Sequence, residues 1–197
     1  HPASIDTVMT QYVAGEWDWK QAKEDLAKEQ ERERQWMEVM MPIRQAMMSN
    51  DRPAVLAAFK TANEKMPDDQ NLMGMQFDYL ISDASTSDQA YAIGHKMMEM
   101  NWNNPNVLNG LAWTVVDDRD VAHRDLDFAM KAASRAVELT NSEDASILDT
   151  MARVYWEQSV QAKSKAIAWQ EKAVAAAEDG PMKDSLETTL AGYTESD

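Results

Sequence analysis

The stretch from 141 to 180 restricts the fold most, because its apolar residues follow the period of an α-helix twice in succession. The first set recurs at i, i+1, i+4, i+5, i+7 and i+8, on one face of a helix: Ile147, Leu148, Met151, Ala152, Val154 and Tyr155. After a short polar break at 158–161, a second helical face follows: Ala162, Ala166, Ile167, Trp169, Ala173, Val174 and Ala177. The stretch therefore predicts a helical hairpin.

Residue size indicates how the two helices of this hairpin pack. Small residues stand where the helices must approach closely, with Ala152 on the first helix and Ala166 and Ala173 on the second. Tyr155 and Trp169 are large enough to fill the gaps between the helices. We expect the alanines at the helix contact and the two aromatic rings beside it.

The composition favours an all-α fold throughout. The 197 residues include only 6 Gly and 6 Pro, and no segment alternates convincingly between apolar and polar residues, so a sheet is not expected. A hydrophobic fraction of 44% is ordinary for a globular protein, and the length is sufficient for one large or two small domains.

Charge and the lack of cysteine exclude several classes of function. The chain carries 34 acidic and 19 basic residues, and its net charge of -15 repels nucleic acid and anionic membrane surfaces. With no Cys, the chain can form no disulfide, thiolate zinc site or redox pair. No apolar run reaches the roughly 20 residues that a membrane-spanning helix needs. We therefore expect neither nucleic-acid binding nor membrane insertion.

Helical patterns also extend over the remainder of the chain. Residues 18–50 predict a long helix that is charged at first and apolar later, and Pro42 is expected to kink it or to divide it in two. Turn signals and the helix start at Asn104-Pro105 separate the helices that follow. A last helix at 182–192 is expected to cover the end of the array. The prediction is an α-α superhelix of about four hairpins, with a long N-terminal helix and a C-terminal capping helix.

Two glycines interrupt the helical patterns of the second hairpin. Gly74 and Gly94 each weaken a helix by about 1 kcal/mol relative to Ala. We interpret both as positions where another element packs too closely for a side chain.

Three segments carry a resemblance to a known family: Asn109-Gly110-Leu111-Ala112-Trp113, 147–155 and 166–173. They resemble tetratricopeptide repeats, which have Leu, then Gly or Ala, then Tyr on their first helix and spaced Ala on their second. Together they are similar to the tetratricopeptide-like tails of bacterial thioredoxin-like (redoxin) proteins, well over 104–178 and weakly over 38–103. The matched residues are structural, so the resemblance supplies no catalytic residue.

The first residues add a shorter similarity, because His1-Pro2 and 14–18 look like the closing segment of a redoxin domain. The resemblance implies three regions: the tail of an upstream redoxin domain at 1–17, a charged connector helix at 18–37, and a repeat domain at 38–197. Since the chain begins at His1 rather than Met, we expect it to be a piece of a longer protein. The family also implies an extracytoplasmic, periplasmic location in a bacterium.

The function implied by the resemblance is a non-catalytic protein–protein interaction module, the C-terminal part of a thioredoxin-like thiol–disulfide oxidoreductase. Three His and no Cys make nucleophilic catalysis by this chain improbable, and no cofactor is expected. A further hypothesis treats the chain as the scaffold of an enzyme whose chemistry lies entirely in the upstream domain.

Methionine gives the alternative function, a Met-rich copper-handling protein. Ten of the 15 methionines form four clusters: Met37, Met40 and Met41; Met47 and Met48; Met73 and Met75; and Met97, Met98 and Met100. Thioethers bind Cu(I), and His95 beside the last cluster would add an imidazole. Most of these residues share helical faces with Leu and Val, so we favour core packing, in which flexible side chains fill gaps.

Carboxylates crowd into 117–127 at Asp117, Asp118, Asp120, Asp125 and Asp127, together with His123. Calcium loops usually have Gly at a sharp turn and an ordered ligand spacing. Neither is present here, so we interpret the segment as a solvated charged loop and predict no metal site.

The inward side of the first helix in each hairpin is the expected peptide- or protein-binding groove. Its candidate residues are Tyr91, Asn109, Trp113, Arg153 and Trp156. With a net charge of -15, the groove is expected to attract basic or neutral apolar segments and to repel acidic ones. The alternative is that the groove is solvated, or is filled by 18–35 or by the redoxin domain of the parent protein.

Overall fold

A computed structural model describes residues 9–10, 12–15, 18–116, 121–158 and 162–195. These residues form no strand, and their helices confirm the predicted all-α fold with four hairpins, a long first helix and a last single helix. The helices are α1 Trp19–Met48, α2 Arg52–Lys65, α3 Gln70–Leu80, α4 Ser87–Met100, α5 Pro105–Val116, α6 Leu126–Leu139, α7 Ala145–Gln158, α8 Lys163–Ala176 and α9 Pro181–Glu195.

Carboxylate and amide side chains set many of the helix starts. An oxygen of Asp18 accepts from the backbone N–H groups of Lys20 and Gln21, at 2.9 and 3.1 Å. Similar caps precede four other helices, at Asp51, Asp69, Asp125 and Asp144. Asn104 caps α5 by accepting from the backbone N–H of Val107 at 3.3 Å. Each such cap satisfies a backbone donor that has no partner inside its helix.

The chain divides into two compact units, His1–Pro67 and Asp68–Asp197. In the first unit, α2 packs only on the last third of α1, and a Glu38–Lys65 ion pair joins the two helices at one end. The small core of this hairpin consists of Val39, Met40, Ile43, Ala46, Val55, Phe59 and Ala62. Helix α1 continues without a break through Pro42, so the expected division of the helix there is wrong.

The second unit is an array of hairpins closed by a single helix. Each helix from α3 to α9 packs on the next one, and α5 also packs on α7 and α4 on α6. These next-but-one contacts are those of stacked hairpins. Leu186 and Tyr193 of α9 are buried against the last hairpin, as expected for a helix that covers the end of the array.

The hairpin that the sequence marked most clearly is formed by α7 and α8. Ala152, Ala166 and Ala173 have no exposed surface, which confirms that the helices approach closely at small residues. Tyr155 and Trp169 are partly buried beside this alanine contact. The polar break between the two helices falls at 159–161, which lies outside the described residues.

Gly94 confirms the close-packing interpretation, whereas Gly74 does not. A Cβ atom on Gly94 would lie 2.9 Å from ring atoms of both Phe77 and Phe128, so a methyl group cannot fit without moving two buried rings. A Cβ atom on Gly74 would lie 3.7 Å from the terminal methyl of Met97, an ordinary van der Waals contact. Helix packing therefore requires glycine at 94 only.

Candidate protein-binding surface

Helix α5 has an open stripe on the side away from its core. Its buried residues are Leu108, Leu111, Ala112, Val115 and Val116. Asn106, Asn109, Gly110 and Trp113 recur at i, i+3, i+4 and i+7, so they share another face of the helix. Trp113 is 36% exposed, which is high for a large aromatic side chain in a helix whose other side is fully buried. Asn109 and Trp113 thus lie one helical turn apart on the side of α5 away from its core, with Trp113 exposed and Asn109 partly exposed.

Arg153 joins the corresponding side of α7 to the end of α5. Its Nε donates to the backbone oxygen of Val116 at 3.2 Å, and its guanidinium lies 3.1 Å from a carboxylate oxygen of Glu157. The carbonyl at 116 belongs to the last turn of α5, which has no partner for it within the helix. Arg153 is therefore a structural link between two hairpins, which joins α7 to the C-terminal end of α5.

Trp156 follows Arg153 by three residues and is partly covered by the chain itself. Its ring is stacked on Tyr193 of α9, with centroids 4.2 Å apart and planes inclined by 13°. The Lys163 ammonium lies 4.6 Å from the centroid of the Trp156 ring. The element that covers this end of the predicted groove is thus α9, which the sequence assigned only to capping.

Tyr91 is placed differently from the other four predicted residues. It is buried, and its hydroxyl donates to the backbone oxygen of His123 at 2.7 Å while accepting from the backbone N–H of Asp125 at 2.8 Å. Its ring packs edge-on against Phe77 and Phe128. Burial raises the pKa of the Tyr91 hydroxyl. Tyr91 therefore anchors the segment before α6 and offers no surface to a ligand.

Asn109 has one polar atom whose environment is unusual. Its Oδ1 is buried and accepts no hydrogen bond within the described residues, although the rest of the residue is partly exposed. A buried acceptor that lacks a partner costs about 1 to 3 kcal/mol. The amide thus lies at the edge of accessible surface with an acceptor whose hydrogen-bonding capacity is unused.

A buried polar pair on α7 and α8 was missed by sequence reasoning. Gln170 has no exposed surface, and its amide donates to Asp149 Oδ1 at 2.7 Å and to the backbone oxygen of Leu186 at 3.3 Å. Burial raises the pKa of Asp149, although Gln170 and Arg153 oppose that shift. The available signal was the spacing of Gln170, which lies between Ala166 and Ala173 on the apolar stripe of α8.

The two units differ strongly in charge. Residues 68–197 contain 23 acidic and 10 basic residues, a net charge of -13, whereas 1–67 contain 11 acidic and 9 basic residues, a net charge of -2. The potential at the α5 stripe and at Arg153 and Trp156 of α7 is therefore set by an acidic unit.

Basic side chains also gather beside an exposed ring at the turn between α4 and α5. Trp102 is 38% exposed there, and the Lys131 ammonium and Arg135 guanidinium lie 5.9 and 5.4 Å from its ring centroid. A cavity of about 320 Å³ lies beside the ring, and Glu99 also lines it. Arg135 is held by the backbone oxygen of Trp102 and by Glu138, so its charge is largely used within the protein.

The methionine clusters divide between core and surface. Met40, Met73, Met97 and Met98 are buried, in agreement with core packing. Their neighbours Met37, Met41, Met48 and Met100 are exposed. No group of three His, Asp or Glu side chains is arranged to hold a metal ion among the described residues, and Asp117, Asp118 and Asp120 lie outside them.

Comparisons with known proteins found no relative. No protein-family model matches the chain, and no curated protein and no solved structure matches it either. Among the helices of the described residues, none combines the length and apolar character that crossing a bilayer requires.

Proposed function

We propose that this chain is a non-catalytic interaction module that binds a protein or peptide on the open stripe of α5 and on the partly buried Arg153 and Trp156 of α7. Stacked helical hairpins expose long surfaces formed by successive helices, and such surfaces normally hold another polypeptide. The residues of the proposed site are Asn109, Trp113, Arg153 and Trp156.

The observation that carries this proposal is the pair formed by Trp113 and Asn109. An exposed tryptophan is a common anchor of binding energy, because it buries a large apolar area at a small cost in side-chain entropy. One helical turn away, Asn109 Oδ1 is buried without a hydrogen-bond partner among the described residues. An apolar residue of the ligand would cover the exposed Trp113 ring, and polar groups of the ligand would contact the accessible part of Asn109.

The charge of the unit indicates which ligands are favoured. A net charge of -13 over 68–197 attracts basic segments and repels acidic ones, and salt screens this effect beyond about 8 Å at physiological ionic strength. Because Arg153 already binds Glu157 and Val116, it does not make the surface basic. The proposed ligand is a segment with apolar anchors and Lys or Arg residues.

The test compares matched peptides that share the same apolar residues and differ only in carrying Lys/Arg or Asp/Glu. We expect the basic peptides to bind more tightly and their affinity to fall as salt rises. Trp113→Ala is expected to weaken binding about tenfold or more, as loss of an anchor residue does. Trp102→Ala is the matched control, because Trp102 has nearly the same exposure but lies at the turn between α4 and α5.

Two results would contradict the proposal. Preferential binding of the acidic peptides, strengthening as salt falls, would show that the acidity of the unit does not select the ligand. Equal losses of peptide affinity for Trp113→Ala and Trp102→Ala would show that the α5 stripe is not the binding site.

We further propose that the parent protein is a periplasmic bacterial redoxin, on the basis of the sequence resemblance alone. The coding sequence upstream of His1 tests this directly. A Cys-x-x-Cys motif or a peroxidatic Cys, preceded by a signal peptide or lipoprotein start, is expected there. An upstream sequence without any cysteine would contradict the proposal of a redoxin parent. The proposed binding function would not be affected, because the peptide experiment tests it separately.

A further inference from the structure

Helix α1 carries an apolar stripe that none of the described residues of the first unit covers. Its five exposed large apolar residues are between 54% and 88% exposed: Trp19, Leu26, Met37, Met41 and Met48. Successive members are 7, 11, 4 and 7 residues apart, close to whole numbers of helical turns, so they follow one face over about 45 Å. The core residues Val39, Ile43 and Ala46 lie on a different side, toward α2.

The same helix is electrically neutral in a strongly acidic chain. Between Trp19 and Met48 there are six basic and six acidic residues, while the whole chain has a net charge of -15. Two copies of the chain repel each other most between their second units, each of which has a net charge of -13. Helix α1 is where two copies can approach with the least electrostatic cost.

The stripe is also symmetric about its centre. With Gln30 included, its members are spaced by 7, 4, 7, 4 and 7 residues, which reads the same from either end. Two such helices in antiparallel orientation place Trp19 opposite Met48, Leu26 opposite Met41, and Gln30 opposite Met37. A surface that is complementary to itself in this way is what a two-fold homodimer requires.

We propose that the chain forms a homodimer in which the α1 helices of two copies pair antiparallel along this stripe. The dimer buries ten large apolar residues, five from each copy. A second copy matches the spacing and the symmetry of the stripe, and its α1 carries no net charge to oppose the pairing. This inference goes beyond the proposed binding function and uses different residues, so either can fail without the other.

The first experiment measures mass against concentration, for example by sedimentation of the whole chain. We expect a dimer that dissociates to the single-chain mass of 22.3 kDa on dilution. Leu26→Glu with Met41→Glu places four charges in the centre of the paired stripes and is expected to weaken association at least a hundredfold. Met100→Glu with Met182→Glu is the control, since it adds the same charges at exposed methionines of the second unit and is expected to leave the dimer intact.

A second variant exploits a like-charged contact within the pairing. Lys23 lies opposite Arg44 in the antiparallel register, and the contact occurs twice. Arg44→Glu converts both contacts to attractive pairs and is expected to tighten the dimer severalfold at low salt. A dimer that uses any other surface would not gain from this change.

The orientation is tested with introduced cysteines, because the chain has none of its own. In the antiparallel pair, the two residues at 48 are about 43 Å apart along the axis. Met48→Cys is therefore expected not to cross-link with itself under oxidation, but to cross-link with Trp19→Cys when the two variants are mixed. Self-cross-linking of Met48→Cys would indicate parallel helices and would overturn the proposed arrangement.

Three further results would overturn the dimer. The first is a single-chain mass at all concentrations from about 1 µM to about 1 mM. The second is a dimer that Leu26→Glu with Met41→Glu leaves unchanged. The third is a chain that dimerises only after removal of 1–17, which would assign the stripe to that segment instead of a second copy.

Discussion

The α1–α2 hairpin and the α5–α8 hairpins are built from similar helices but bury very different shares of them. Over its 30 residues α1 buries four, all within its last ten, and no residue from 19 to 38 is buried. Helix α7 buries seven of its 14 residues, and α6 buries six of 14. The difference lies in the neighbours, because α6 and α7 have a packed helix on more than one side and α1 has one only near its end.

This contrast shows that an apolar period alone does not determine burial in a repeat array. A hairpin can bury only the side that a neighbour covers, and its remaining stripe stays exposed. In α1 the exposed part is supported locally by ion pairs three residues apart, Asp25–Lys28, Glu29–Arg32 and Glu31–Arg34. Such pairs between exposed side chains add little stability, because water and salt screen them. The first half of α1 therefore gains less stability from packing within the described residues than the helices of the second unit do.

The largest expected difference between the two regions is the stability that is lost when one large side chain is removed from each. Phe128→Ala removes a buried ring that packs against Phe77, Tyr91 and His95, and should lower the free energy of unfolding by about 3 to 5 kcal/mol. Leu26→Ala removes an exposed side chain and should change the stability of the dilute chain by less than about 0.5 kcal/mol. Denaturant unfolding measures both, and comparable losses would contradict the difference in burial.

The next largest effect is the difference in stability between two Gly→Ala variants of the second unit. Gly94→Ala forces a methyl group against Phe77 and Phe128 and should destabilise by about 1 to 3 kcal/mol. Gly110→Ala meets no atom within 4 Å and should stabilise α5 by up to about 1 kcal/mol. The two changes add the same methyl group, so equal shifts of the unfolding midpoint would show that space at 94 is not limiting.

The smallest effect concerns the pH dependence of stability and depends on Asp149. Its pKa is raised by burial, so the folded chain holds this proton more tightly than the unfolded chain does. The stability that the protonated form provides is present at acid pH and is lost as pH rises through the folded pKa. Asp149→Asn cannot ionise and retains an oxygen for the Gln170 amide.

Unfolding curves of the wild type and of Asp149→Asn over a series of pH values test this sign. The wild type should lose stability relative to the variant as pH rises above the ordinary carboxyl range, and the difference should become constant once Asp149 is ionised. A relative gain by the wild type over that interval would mean that Arg153 and Gln170 outweigh burial.

Much of the fold could be predicted because local signals coincide with the packing. Asn104-Pro105 starts a helix in the sequence and in the structure, and Ala152 and Ala166 lie at a helix contact as their size suggests. Pro42 does not divide the helix, because it is exposed and the nearby residues Val39 and Ile43 are held in a core. The period of the apolar residues predicts one buried face of a helix, but it does not predict how many other helices pack against it.

The candidate site was less accessible to sequence reasoning. Trp113 lies off the apolar period of α5, a signal that fits packing on a neighbouring hairpin as well as exposure, and the structure shows that it is exposed. Tyr91 follows the core period of α4, and only the structure shows that its hydroxyl binds the segment before α6. The stacking of Trp156 on Tyr193 joins residues 37 apart in sequence, a contact that no local pattern encodes.

Hydrogen exchange of the whole chain at low and high protein concentration tests most directly whether the two regions are covered differently. Amides of α5 to α8 are expected to be protected equally at both concentrations, because their coverage comes from the same chain. Amides of residues 19–37 are expected to exchange rapidly in the dilute sample and to become protected in the concentrated one. Protection of 19–37 that does not change with concentration, or a loss of protection in α5 to α8 on dilution, would contradict this account.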